Sequence, residues 1–193
     1  MADLPDDPAF RRRLQEHRES WQFSRRPPRI ETPGPGQESV WDYPRPPEVR
    51  EAGASLKVVF AGEVIAATDR GLKVVETAGA PVYHFPADDV REGVLHPSSA
   101  ATFCEWKGEA RYFDVVHRGK TATRAAYTYP DPLDDLGQGY GRISGMIVFY
   151  ADPMDEVWVG DERATPQPGG YYAGWVTSKI TGPIKGAPGS EGW

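Results

Sequence analysis

The sequence predicts a mainly β protein: an all-β core of short antiparallel strands, with one N-terminal helix and a Pro/Gly-rich C-terminal wrap. Three observations predict the β core. Short β-branched segments follow one another from Leu56 onward, turn residues separate them at short intervals, and almost no helical periodicity interrupts them before Val159. A chain of 193 residues with 39% hydrophobic content can bury one core, and its 19 prolines and 21 glycines, about a fifth of the total, belong in loops and ends.

The organisation reads as three regions: residues 1–48 as a helix and proline-rich tether, 49–164 as the core domain, and 165–193 as an aromatic wrap. Asp6 or Asp7 caps a helix with Pro8 in its first turn, and Phe10, Leu14, His17 and Trp21 recur at helical spacing over residues 8–22. Arg11, Arg12, Arg13 and Arg18, interleaved with Glu16 and Glu19, read as its solvated side, and the helix offers a face for a homodimer. Seven prolines between residues 24 and 48 require an extended tether, which Trp41 and Tyr43 should pin onto the core.

Within the core, Leu56–Phe60, Glu63–Ala67 and Leu72–Thr77 read as a meander turning at Ala61-Gly62 and at Asp69-Arg70-Gly71, with Ala80–Phe85 as a fourth strand. Residues 102–116 read as one continuous strand, which puts Trp106 and Lys107 on opposite faces. A two-residue turn at Gly108-Glu109 is the competing register, and a bulge or bend at Gly108 would let one pocket hold both side chains. Thr121–Tyr129 pairs with that strand, and Gly145–Tyr150 and Glu156–Val159 read as a closing hairpin. The segment after Thr165 has no period, but Tyr171, Tyr172, Trp175 and Trp193 argue for an ordered wrap.

Charge and motif content exclude several functions. Residues 56–160 carry fifteen acidic and ten basic side chains, which opposes a phosphate-tracking surface, so nucleic acid is not an expected partner. No apolar run is long enough for a membrane span and no leader pattern is evident, so the cytoplasm is the default location. The single Cys104 excludes an intramolecular disulfide and a multi-cysteine zinc site, and reads as small core filler. His84, His96 and His117 lack metal-ligand spacing and read as surface or hydrogen-bonding histidines, so no metal and no cofactor is expected. Gly137, Gly139 and Gly141 do not make a dinucleotide fingerprint, and Lys185 does not complete a P-loop. Asp131, Asp134 and Asp135, among prolines, read as a solvated acidic turn.

What remains is an aromatic, polar pocket. Tyr83, Trp106, Tyr112 and Tyr127 would line it, with Glu76 and Lys107 as polar anchors for a small-molecule ligand; Phe85, Tyr129 and Tyr150 read mostly as core packing. The alternative class is a metal-independent enzyme, with Lys107 as base or electrostatic stabiliser and Glu76 or Tyr83 as proton partner. An interaction protein is a third reading, resting on the aromatic ends.

Several ordered segments, among them VVFAGEVIA, ETAGAPVYHFP, FCEWKGEARYFDV, AAYTYPDP and VFYADPMDEVWVGDE, resemble the domain of unknown function 427 family, from about Trp41 to Trp193. The resemblance implies the tent-like pair of antiparallel sheets and no activity; the family is uncharacterised and sometimes labelled nucleotidyltransferase-like. Tyr127 stands where the family often has Trp and His84 where it often has Tyr, which keeps the pocket aromatic but changes its hydrogen bonding.

Overall fold

The computed structural model describes residues 4–193. One helix, α1 (Pro8–Ser20), precedes fourteen short strands among these residues. They are β1 (Glu38–Ser39), β2 (Glu48–Glu51), β3 (Leu56–Phe60), β4 (Glu63–Thr68), β5 (Leu72–Val75), β6 (Val82–His84), β7 (Leu95–Cys104), β8 (Gly108–His117), β9 (Lys120–Thr128), β10 (Ile147–Phe149), β11 (Glu156–Val159), β12 (Glu162–Pro166), β13 (Trp175–Val176) and β14 (Ile180–Thr181). The mainly β class and the N-terminal helix agree with the sequence reading. In place of two sheets there are four: a five-stranded β13-β12-β11-β3-β4, a four-stranded β10-β9-β8-β7, a three-stranded β2-β5-β6, and a parallel β1-β14 pair.

The three- and four-stranded sheets run on into one another. Phe85 and Ile147 exchange both backbone hydrogen bonds at 2.8 Å, joining the end of β6 to β10. One face of this surface packs on the five-stranded sheet. Leu56, Val58, Phe60 and Ile65 from that sheet meet Tyr83, Phe85, Ala126, Ile147 and Phe149, with Trp175 fully buried among them. Alternation along β6 and β10 sends Val82, His84 and Val148 to the opposite face, which faces a second cluster around Val74, Trp106, Tyr127, Tyr129 and Tyr140.

Two expected connections differ. The β3–β4 hairpin forms, with Ala61 (φ 52°) and Gly62 (φ 75°) in the left-handed region that a tight primed turn needs. Asp69-Arg70-Gly71, however, carries the chain out of that sheet, and β5 pairs with β2 and β6. The reason is that the edge of β4 is already occupied: Val90 bridges Ala66, and Arg91 N–H donates to the Ile65 carbonyl at 2.7 Å. Asp89 anchors that corner by accepting from Thr68 Oγ1 (2.6 Å) and Arg70 Nη2 (2.7 Å). Likewise β10 and β11 are not a hairpin. β10 pairs with β9, while β11 lies between β3 and β12, so residues 150–155 cross between the two layers.

The ends of the chain pack on each other. Trp41 and Tyr43 are buried as expected, beside Val40, Val75 and Ala78; Trp41 Nε1 donates to the Pro183 carbonyl at 2.8 Å, and its ring meets Trp193 edge-on at 5.5 Å. In the C-terminal segment Trp175 is buried, whereas Tyr171 is 75% exposed, contrary to the expectation that these aromatics all need burial. No helix among the described residues is long and apolar enough to cross a membrane.

Candidate functional site

The stretch around Gly108 decides the site. β7 ends at Cys104, the chain turns through Glu105, Trp106 and Lys107, and β8 begins at Gly108 with Cys104 paired opposite it. This corrects both expected registers, the continuous strand over 102–116 and the Gly108-Glu109 turn. Gly108 sits at φ 84°, closing a three-residue turn in a conformation that favours glycine. At a turn tip the alternation of a strand no longer applies, so Trp106 and Lys107 are both buried and line the same cavity.

That cavity, about 320 Å³, lies where the three- and four-stranded sheets meet, on the face away from the Trp175 core. It brings together five of the six residues expected there: Glu76, Trp106, Lys107, Tyr112 and Tyr127. Tyr83 does not join them. It alternates with Val82 and His84 on β6, points into the opposite layer, and packs on Trp175 at 5.3 Å. The strand that offers its tyrosine to the core offers its histidine to the cavity.

His84 is therefore not a surface histidine. It is 1% exposed, and neither Nδ1 nor Nε2 has a hydrogen-bond partner among the described residues. Burial, followed by the nearby Lys107 charge, pushes its pKa down to about 3, so the ring is neutral at physiological pH. Such a ring carries one N–H donor and one lone-pair acceptor, both unused. Trp106 Nε1 is a third buried polar atom without a partner.

Tyrosines supply much of the wall. Tyr127 lies at the centre of a cluster, 5.7 Å from Tyr112, 5.7 Å and edge-on to Tyr129, and 5.8 Å from Tyr150. Tyr129 and Tyr150 thus line the cavity rather than the inter-sheet core. Cys104 also lines it and is only partly buried, which corrects its reading as core filler.

At the other end, Glu76 lies just beyond β5 and accepts from Arg45 Nε at 3.1 Å, with Lys185 Nζ 3.5 Å away. Burial would raise the Glu76 carboxyl, but Lys185, Lys107 and Arg45 more than offset it and hold the group below the ordinary range. Lys185 moves the other way, held below the ordinary lysine range chiefly by burial. Burial also opposes the Lys107 ammonium, yet Cys104 and Glu76 outweigh it, and its pKa is raised. Lys107 Nζ has no hydrogen bond or ion pair within 4 Å among the described residues; its neighbours are the ring faces of Tyr129 (5.7 Å) and Tyr140 (5.9 Å). The expected pairing of Lys107 with a Tyr83 proton partner is absent.

The N-terminal helix reaches the same place. Asp7 caps α1 by accepting from Ala9 N–H at 2.9 Å. From the last turn, Arg18 donates to the Glu105 carbonyl at 2.7 Å and to both oxygens of Asp135. Trp21, in the 3₁₀ turn after α1, donates its indole N–H to Glu105 Oε1 at 2.7 Å and lies under the Arg45 guanidinium at 4.5 Å. Asp135 is thus a helix anchor and Asp134 accepts from Gly139 N–H at 2.9 Å, within an acidic turn whose Asp131 and Asp135 are exposed. Among the described residues no group of three or more His, Cys, Asp or Glu side chains is placed to hold a metal ion.

Several site groups escape the sequence reading, Lys185 and His84 among them. Lys185 was weighed only as a P-loop lysine, and nothing in one sequence brings residue 185 to residue 76. His84 could have been found by extending the alternation of Tyr83 by one residue.

A family model matches residues 48–160. The chain belongs to the domain of unknown function (DUF427) family. No curated protein matches it. The matched residues contain the walls contributed by β5 to β10, while Trp21, Tyr172 and Lys185, which complete the charged end, lie outside them.

Proposed function

We propose that this DUF427 protein binds a small, ring-containing molecule in the cavity between β5–β6 and β7–β9. The observation that carries the reading is the set of three buried polar atoms, His84 Nδ1, His84 Nε2 and Trp106 Nε1, with no partner among the described residues and a cavity of about 320 Å³ beside them. A buried polar group without a hydrogen bond costs about 1–3 kcal/mol, and such groups are kept where a ligand or water satisfies them. The Tyr112, Tyr127, Tyr129 and Tyr150 walls add flat apolar surface, and the volume falls at the small end of the range for small-molecule sites, roughly one or two rings.

Glu76 and Lys107 serve in this reading as polar anchors. A raised Lys107 pKa keeps the amine protonated near neutrality, which suits an electrostatic anchor better than a general base. A thermal-shift screen of ring-containing metabolites tests the proposal. A true ligand at a hundredfold excess over Kd should raise Tm by roughly 5–10 °C, and Trp106→Phe should reduce that rise. If no compound stabilises the protein, or if every stabilising compound acts equally on Trp106→Phe and wild type, the proposal fails.

A further inference from the structure

The charges around the cavity narrow the ligand class, on the premise that the cavity is a binding site. Two lysines line it: Lys185, which shares Glu76 with Arg45, and Lys107, at the turn tip. Two carboxylates lie on the cavity wall, Glu76 and Glu105. Glu76 is engaged by Arg45 and Lys185, and Glu105 accepts the Trp21 indole N–H and lies 3.9 Å from His17 Nε2. One of the two lysines therefore lacks an ion pair among the described residues. It is Lys107, which has no carboxylate within 4 Å among the described residues and lies 5.7 Å from the Tyr129 ring and 5.9 Å from the Tyr140 ring.

Burial opposes the Lys107 ammonium, and with no ion pair in contact it is open to a ligand anion, which would offset that burial directly. The neighbouring polar atoms agree. Trp106 Nε1–H is a donor, as is one nitrogen of His84, so most unused groups in the cavity await an acceptor. The remaining His84 nitrogen is an acceptor and asks for one donor on the ligand. A dianionic phosphate would bring no donor for that nitrogen at neutral pH.

We infer that the ligand is a planar aromatic monocarboxylate bearing a hydroxyl or amino substituent, with its carboxylate on Lys107 Nζ and its ring between Trp106 and the Tyr112–Tyr127–Tyr129 wall. The substituent supplies the donor for His84.

Calorimetry on the full chain with three matched probes tests this: 4-hydroxybenzoate, its neutral amide 4-hydroxybenzamide, and the cation 4-hydroxybenzylamine. The acid is expected to bind at least tenfold more tightly than the amide, with no binding of the amine. Lys107→Met should erase the preference for acid over amide, Lys107→Arg should keep it, and Trp106→Phe should weaken both. Should Lys107→Met fold poorly, the three-probe ranking on wild type and on Lys107→Arg still decides the matter. Equal or tighter binding of the amide or amine would overturn the inference, as would an acid preference that survives Lys107→Met. If none of the three binds while other compounds act through Trp106, the anion assignment falls and the binding site stands; if no compound binds at all, both fall.

Discussion

Two buried tryptophans on the two faces of one β layer show how differently this fold treats the same side chain. Trp175 is fully buried, donates its indole N–H to the Phe149 carbonyl at 2.9 Å, and packs against Tyr83 and Phe85. Trp106 is 4% exposed, yet its N–H has no partner, and it borders a cavity rather than a filled core. One face is filled around a tryptophan whose N–H is paired, as a stabilising core requires; the other keeps the polar atoms of His84 and Trp106 unpaired, among the described residues, beside empty volume. That division runs through single strands, with Tyr83 and Phe85 on the packed side and Val82 and His84 on the open side.

The comparison breaks first at Trp175. Trp175→Ala should cost about 3–5 kcal/mol in chemical denaturation, because it empties the centre of the inter-sheet core. A loss below about 1 kcal/mol would mean that the packed face is not the stabilising one. Glu76→Gln should be next, at about 2–3 kcal/mol, since it leaves the Arg45 and Lys185 charges without their carboxylate at a site that is only partly screened. A null effect there would show that solvent already satisfies both cations.

Acid titration sharpens the contrast. His84 has a folded pKa of about 3 against an ordinary value of 6.5, so below pH 6.5 the unfolded chain binds a proton that the folded chain refuses. Stability therefore falls with pH through this window, by about 1.4 kcal/mol per unit, until the folded ring itself titrates near pH 3. Glu76, whose folded pKa is depressed, contributes stability above the ordinary carboxylate value and loses it at lower pH, as pH falls through its folded pKa. Between pH 6.5 and 4.5 the His84 effect stands apart, and His84→Leu should flatten the denaturation midpoint there. An unchanged slope would place a hydrogen-bond partner or water on the imidazole. The smallest effect belongs to Trp106→Phe, expected within about 1 kcal/mol of wild type, because no protein hydrogen bond is lost.

The sequence made some of this legible and left the rest hidden for physical reasons. Strand alternation and turn residues located β3, β4, β9 and β11 to within a residue or two, because local sterics govern both signals. Sheet membership was not local: whether Leu72–Val75 follows β4 into its sheet depends on Val90 and Arg91 already occupying that edge. In the cavity, Trp106, Lys107, Tyr112, Tyr127 and Glu76 were named from chemistry, and Gly108 was recognised as the geometric hinge of the question. Tyr83 was misplaced by one step of a two-residue period, which also hid His84. Lys185 and Trp21 lie 109 and 55 residues from Glu76, beyond any local rule.

The most direct measurement is a proton–nitrogen correlation spectrum of the six tryptophan indole groups, recorded with and without a compound that stabilises the protein. The account expects the Trp106 indole resonance to shift most, Trp21 to follow because it lies at the charged end of the same cavity, and Trp175 to stay fixed. A shift at Trp175 with none at Trp106, for every such compound, would contradict it.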